Sequence, residues 1–185
     1  MNNLTGVVLC GGQSKRMGTD KGLILLADQP WAQIMSEKLK AVSLQPVLSI
    51  NKSQEEKYLQ HFKAESLVLD HTEIPGPLNG LMSVHDRFPD QDLLLLACDM
   101  INMRTETLET LVSVCTKQSG FDFYAYHNTQ FWEPLCAIYT ASGLKNIKNQ
   151  LLKDKDHSFQ HILNNEHTYK LEITDLESFR NMNSL

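Results

Sequence analysis

The chain has no apolar stretch that could cross a bilayer. Its longest uninterrupted run, Leu93 to Cys98, is far short of the ~20 residues a spanning helix needs. The opening Met1-Asn2-Asn3-Leu4-Thr5 carries no basic n-region, and Val7 to Cys10 is too short for a signal core, so a cytoplasmic protein without membrane contact is expected. No excess of positive charge is present either. Lys and Arg total 17 against 22 Asp and Glu, a net charge of -5, which argues against a nucleic-acid partner. The four cysteines form no C-x-x-C pair and read as reduced thiols used as small hydrophobes. Among seven histidines only His157 and His161 share a metal-like spacing, in a polar stretch with no third ligand near. Repeats, low-complexity tracts and Pro/Gly/Ser-rich linkers are all lacking. At 185 residues, 42% hydrophobic and 21% charged, the composition is that of one ordinary globular domain.

What is present is alternation. Leu4 to Leu9, Pro46 to Ile50, Ser66 to Leu69 and Asp92 to Ala97 are short continuous apolar runs, the mark of parallel strands covered on both faces. Helical spacing separates them. Trp31, Ile34, Met35 and Leu39 form one face behind Pro30, and Leu78, Leu81, Met82 and His85 another. Leu108, Leu111, Val112 and Cys115 form a third, before Gly120. Strand–helix–strand order predicts an α/β Rossmann-like three-layer sandwich with a mostly parallel central sheet. The second half predicts strands at Phe121 to Tyr126 and Leu135 to Tyr139 joined by a hairpin-like tip. Helices capped by Ser142 and Ser158 follow, then a last strand at Thr168 to Ile173.

The first strand runs into Leu9-Cys10-Gly11-Gly12-Gln13-Ser14-Lys15-Arg16-Met17-Gly18-Thr19-Asp20-Lys21-Gly22. Glycines let backbone N–H groups approach a ligand, and Lys15, Arg16 and Lys21 add positive charge, so the segment suits a polyphosphate. Its place at a strand's carboxyl end is where open α/β sheets bind ligands. Two familiar phosphate loops are excluded. A Walker loop needs Lys directly after its last Gly, whereas Lys21 follows Thr19-Asp20, and G-x-G-x-x-G is missing.

Leu9-x-Gly11-Gly12-x-Ser14-x-Arg16-Met17-Gly18-x-Asp20-Lys21 resembles the signature loop of the small-molecule nucleotidyltransferases, and within them the molybdenum cofactor guanylyltransferases. The resemblance covers nearly the whole chain. Asn51-Lys52 matches the family's Asn-basic turn, and Asp70 ends the third strand. Pro75-Gly76-Pro77-Leu78-Asn79-Gly80-Leu81 matches P-G-P-L-x-G, and Cys98-Asp99 the C-D metal turn. Glu133-Pro134-Leu135-x-Ala137-x-Tyr139 and Phe179-x-Asn181-x-Asn183 match the closing motifs. Cys10 replaces the usual Ala, and Ala97 and Ile101 stand where prolines are usual.

The resemblance implies transfer of GMP from GTP to molybdenum-loaded molybdopterin with release of pyrophosphate. It implies Mg²⁺ as cofactor and molybdoenzyme-maturation proteins as further partners. Residues 1–100 would form the nucleotide-binding half and residues 101–185 the acceptor half. Arg16, Lys21 and Asp99 are the implied catalytic residues, with Asp99 on the metal. Leu9, Cys10, Gly11, Gly12, Asn51, Asp70, Gly76 and Gly80 are placed with Lys21 and Asp99 on the nucleotide, and Glu133, Asn181 and Asn183 on the acceptor side. The chemistry agrees: phosphoryl transfer asks the protein mainly for positioning and neutralised charge. An Asp after a strand also serves as a turn or helix cap. A relative using CTP or a sugar-phosphate acceptor, or a nucleotide-binding module without catalysis, fits the same residues.

Overall fold

The computed structural model describes residues 3–11, 20–151 and 158–180. Gly12, Arg16, Asn181 and Asn183 lie outside the described residues, as does His157. β1 (Leu4–Leu9) leads to a small hairpin, β2 (Leu25–Leu26) and β3 (Gln29–Pro30), and then to α1 (Trp31–Ala41). There follow β4 (Pro46–Ile50), α2 (Glu55–Tyr58), β5 (Leu67–Leu69), α3 (Pro77–Arg87), β6 (Asp92–Ala97) and α4 (Thr105–Lys117). The second half comprises β7 (Phe123–His127), β8 (Trp132–Tyr139), α5 (Ala141–Leu151), α6 (Phe159–Asn165) and β9 (Thr168–Glu172).

Seven strands form one sheet in the order β5-β4-β1-β6-β8-β7-β9. β5, β4, β1 and β6 run parallel, as does the β7–β9 pair, and β8 is antiparallel to both of its neighbours. The expected mostly parallel three-layer sandwich is the architecture observed. β6 shows why its run is purely apolar: Leu94 and Leu96 join one buried cluster while Leu93 and Leu95 join the other. Side chains alternate across a strand, so a strand covered on both faces must be apolar throughout. The first cluster is closed by Trp31, Met35 and Leu39 of α1 with Leu108, Leu111 and Val112 of α4. Leu78, Leu81 and Met82 of α3, Leu144 and Ile147 of α5 and Phe159 and Ile162 of α6 close the second. No helix among the described residues is long and apolar enough to cross a membrane.

Local chemistry explains where the elements stop, and where sequence reading missed. α1 ends without glycine because Ser43 takes the left-handed conformation (φ 63°), its N–H bonding Lys40 O while Leu44 N reaches back to Leu39 O. Ala27 and Asp28 both have positive φ (48° and 64°), making the tight β2–β3 turn from residues that do not advertise it. α5 begins two residues earlier than a Ser142 cap would place it. Thr140, not Ser142, caps it, its hydroxyl oxygen accepting from Gly143 N at 3.0 Å. Ser158 caps α6 as expected, through His161 N.

Candidate active site

Strand polarity gathers the predicted residues. The four parallel strands β5, β4, β1 and β6 end at one edge of the sheet, and directly after them stand Asp70, Asn51, Cys10-Gly11 and Cys98-Asp99. β8 runs the opposite way, so it begins at that edge and brings Trp132 and Glu133 there.

Lys21 opens the short 3-10 turn Lys21–Leu23, and its ammonium lies 2.8 Å from Asp99 Oδ2, with the two side chains 28% and 17% exposed. Seventy-eight positions apart in sequence, the loop lysine and the strand-end carboxylate form one charged pair. Asp99 caps no helix. α4 starts at Thr105 with Arg104 as its N-cap, which disposes of the cap alternative for this residue. The loop after Asp99 is pinned from beneath by Lys38, whose ammonium donates to Ile101 O at 2.7 Å and Met103 O at 2.5 Å. From the C-terminal side, Asn102 Nδ2 bonds Arg180 O and Arg104 N bonds Ser178 Oγ, both at 3.1 Å. Arg180, the last described residue, therefore lies beside the loop that carries Asp99.

Leu9 is buried as the last residue of β1, paired with Ser49 and Ala97. Cys10 N and Gly11 N both donate to Ser49 O, at 2.9 and 3.0 Å. Behind Gly11 stands the Asp70 carboxylate, with Oδ2 only 2.5 Å from where a Cβ would be; no other residue fits there without displacing it. Gly80, in the second turn of α3, is as tight, since its Cβ would fall 2.3 Å from Ser49 Oγ and 2.5 Å from Leu9 Cδ1. Ser49 Oγ donates to Asp70 Oδ1 at 2.7 Å, completing the cluster. Gly76 serves differently: its φ of 72° turns the chain into α3 ahead of Pro77, and it faces open space. Cys10 and Cys98, distant in sequence, are buried neighbours, and burial followed by the Cys98 thiol pushes the Cys10 thiol well up, so it is protonated.

Asn51 Oδ1 accepts from Ser53 Oγ at 2.5 Å. Glu133, half-buried, makes a long 3.5 Å contact with Asn128 Nδ2 in the β7–β8 turn, and burial raises its carboxyl. The structure thus joins Lys21 to Asp99 and Gly11, Gly80 and Asp70 to Ser49, while Glu133 stands apart on the second-half side. Trp132 is a packing residue, its indole N–H bonded to Asn164 Oδ1 at 2.8 Å.

Two contributors escaped the sequence reading of the site. Asn79 ties the segment after Asp70 to α3, with Oδ1 accepting from Thr72 N at 3.1 Å and Thr72 Oγ1 at 2.9 Å, and Nδ2 donating to Thr72 O at 3.0 Å. It lies inside the matched Pro75–Leu81 stretch, a signal that could have found it. Gln54 had no signal beyond its closeness to Asn51.

Burial raises the Asp70 carboxyl, partly offset by the Ser49 hydrogen bond and then by nearby His71. The sign follows by linkage. The folded state holds this proton more tightly than the unfolded chain, so Asp70 lowers stability as pH rises above the ordinary carboxylate range. Asp70→Asn is therefore expected to melt higher than the unaltered protein at neutral pH, the gap closing on acidification. If the residue serves the nucleotide, the same change weakens GTP binding, a trade of stability for function. Equal melting temperatures at neutral pH would contradict the burial cost.

As a metal site, Asp99 offers one hard oxygen ligand group, and among the described residues no group of three or more His, Cys, Asp or Glu could hold a metal ion. That donor set fits Mg²⁺ completed by substrate phosphates and water, and it does not fit a protein-caged ion such as structural zinc.

Comparison with known proteins identifies the family. Residues 6–169 match the family model of the MobA-like NTP transferase domain. A Flavobacterium johnsoniae protein named "probable molybdenum cofactor guanylyltransferase" is 31% identical, the alignment covering 100% of this chain and 97% of that protein. The molybdenum cofactor guanylyltransferase of Campylobacter jejuni subsp. jejuni serotype O:6 is 27% identical, over 99% of this chain and 92% of its own. The crystal structure of molybdopterin-guanine dinucleotide biosynthesis protein A from Archaeoglobus fulgidus superposes with a TM-score of 0.79 over 97% of this chain and 92% of that one. At 21% identity, that last likeness speaks to the fold.

Proposed function

We infer that this chain, which belongs to the MobA-like NTP transferase domain family, transfers GMP from GTP to molybdenum-loaded molybdopterin and releases pyrophosphate. The single observation that carries the reading into this site is the Lys21–Asp99 pair at the carboxyl edge of the parallel strands, at the exit of the glycine-rich loop. In the reaction a terminal phosphate oxygen of the acceptor forms a bond to the α-phosphorus of GTP. The bond between the α-phosphorus and the bridging oxygen breaks, and that oxygen leaves with pyrophosphate. No protein nucleophile takes part.

The protein's task is to bring anions together and to offset charge where it develops. Gly11 has no side chain to hold a phosphate off, and Lys21 sets its ammonium against the strand-end carboxylate. Gly12 and Arg16 belong to the same loop and are assigned the triphosphate on the motif match alone. Asp99 is the residue that would hold Mg²⁺. The ion, when bound, would neutralise phosphate charge and assist departure of pyrophosphate. Asp70, Asn51, Gly76 and Gly80 line the nucleotide side in this reading, and Glu133 with Asn181 and Asn183 the acceptor side. The cytoplasm, where GTP is at hand and thiols such as Cys10 and Cys98 stay reduced, is the compartment we propose.

A nucleotide panel tests this reading. Pyrophosphate release is expected with GTP, molybdopterin and Mg²⁺ together, with GTP preferred over ATP and CTP. Tighter binding and faster turnover of CTP would move the protein to a sister activity and leave the fold untouched. Nucleotide binding without pyrophosphate from any donor would make it a binding module.

A further inference from the structure

Gln54 is a buried polar side chain at the rim of the site, 8% exposed, in the short turn Lys52–Gln54 that follows Asn51. Burying an amide among apolar neighbours is costly unless its hydrogen bonds are made. Here they are, and they run to three separate segments. Nε2 donates to Asp20 Oδ2 at 2.6 Å and to Cys10 O at 3.1 Å, while Oε1 accepts from Asn51 N at 2.8 Å. Cys10 precedes the glycine-rich loop and Asp20 closes it, so one amide joins the loop's two ends and ties both to the Asn51 turn.

Asp20 is held from its other side as well. Oδ1 accepts from the Tyr58 hydroxyl and from Gly22 N, each at 3.0 Å. Tyr58 reaches so far under the turn that a Cβ on Gly22 would fall 2.1 Å from its oxygen. Lys21 lies between these two fixed points. With Asp20 and Gly22 both tied down, the backbone of Lys21 has little freedom, and its ammonium meets Asp99.

We propose that Gln54, backed by Tyr58, is a positioning residue that joins the two ends of the phosphate loop through Cys10 and Asp20 and thereby holds Lys21 where charge develops on the departing pyrophosphate. The catalytic part of this rests on the guanylyl-transfer reading. Only an amide can do the joining, since it donates to a carboxylate and a carbonyl while accepting from a backbone N–H. Methionine has the length but makes none of the three bonds, and an ionised glutamate would set a second carboxylate against Asp20.

Three readouts test the proposal. Gln54→Met, which should remain folded because it keeps the buried volume, is expected to lower kcat by about tenfold to a hundredfold with KM for GTP changed by less than about threefold, as misplacing a charge stabiliser would. Gln54→Glu should regain only part of the lost turnover at low pH, where the introduced carboxyl, once protonated, can donate to Asp20 but not also to Cys10 O, and should lose that part as pH rises and the proton leaves. Tyr58, which shares Asp20 with this amide, and the Cys10 thiol are both pushed by burial to keep their protons and add no competing step. Independently of activity, tryptic cleavage after Lys21 in the free Gln54→Met protein should outpace the unaltered chain while cleavage after Lys117 does not. A folded Gln54→Met variant with kcat within about twofold of the unaltered enzyme overturns the proposal, and so does unchanged cleavage at Lys21. Failure of the unaltered protein to release pyrophosphate would undo the guanylyl reading instead, and the cleavage rates would still decide whether Gln54 holds the loop.

Discussion

Asp99→Asn is expected to abolish metal-dependent pyrophosphate release while leaving the protein folded. The substitution keeps the shape of the side chain but replaces a charged two-oxygen ligand with one neutral oxygen, which a hard cation binds poorly. Its structural cost is bounded by the pair it breaks. Asp99 and Lys21 meet at 2.8 Å with both side chains partly exposed, and pairs of that kind are worth at most about 1 kcal/mol. For a chain this long that is a melting shift of roughly 2–4 °C. Because Arg104 and not Asp99 caps α4, no helix terminus is lost. Thermal melting and pyrophosphate release measured on one preparation check this: near-normal melting with lost turnover supports the metal role, and turnover close to that of the unaltered enzyme ends it.

Lys21→Ala should cost roughly two to three decades in turnover, the scale found when one preorganised charge stabiliser is removed. Binding of a ground-state mimic such as GDP should fall much less, because Lys21 stands at the loop exit where charge changes most as pyrophosphate leaves. The structure adds a consequence. Lys21 and Asp99 are direct partners, so the double variant should lose less than the product of the two single losses. Multiplicative losses would mean that the two residues act independently. Turnover at saturating GTP in Lys21→Ala close to that of the unaltered enzyme would remove Lys21 from the phosphate site.

How much of this was readable beforehand differs by element. β1, β4 and β6 have the boundaries their mostly apolar runs predict, because strands covered on both faces read as near-continuous apolar runs, with Thr5, Ser49 and Asp92 as their polar residues. The faces of α1, α3 and α4 were likewise legible from spacing. The β2–β3 hairpin was not, since Ala27-Asp28 adopts a left-handed pair that sequence associates with Asn-Gly. β8 begins at Trp132, three residues before the expected Leu135, because Pro134 suggests a break. A bulge between Ala125 and Tyr126 shifts the register there. In the site, the motif located Lys21 and Asp99, but periodicity could not pair residues so far apart. Parallel strand ends do that. Gln54 was illegible for another reason: its bonds run to Cys10 and Asp20 in a distant segment and leave no pattern in composition or spacing, whereas Asn79, bonded to Thr72 seven residues away, lies within the matched Pro75–Leu81 stretch.

The most direct test of guanylyl transfer follows the α-phosphorus itself. The protein is incubated with GTP labelled at the α-phosphate, Mg²⁺ and molybdenum-loaded molybdopterin, and label in the pterin product is measured against pyrophosphate formed. Equal amounts of labelled pterin dinucleotide and pyrophosphate are expected, with neither formed when the pterin is omitted. Label left in GDP or free GMP while the pterin stays unlabelled would contradict the account.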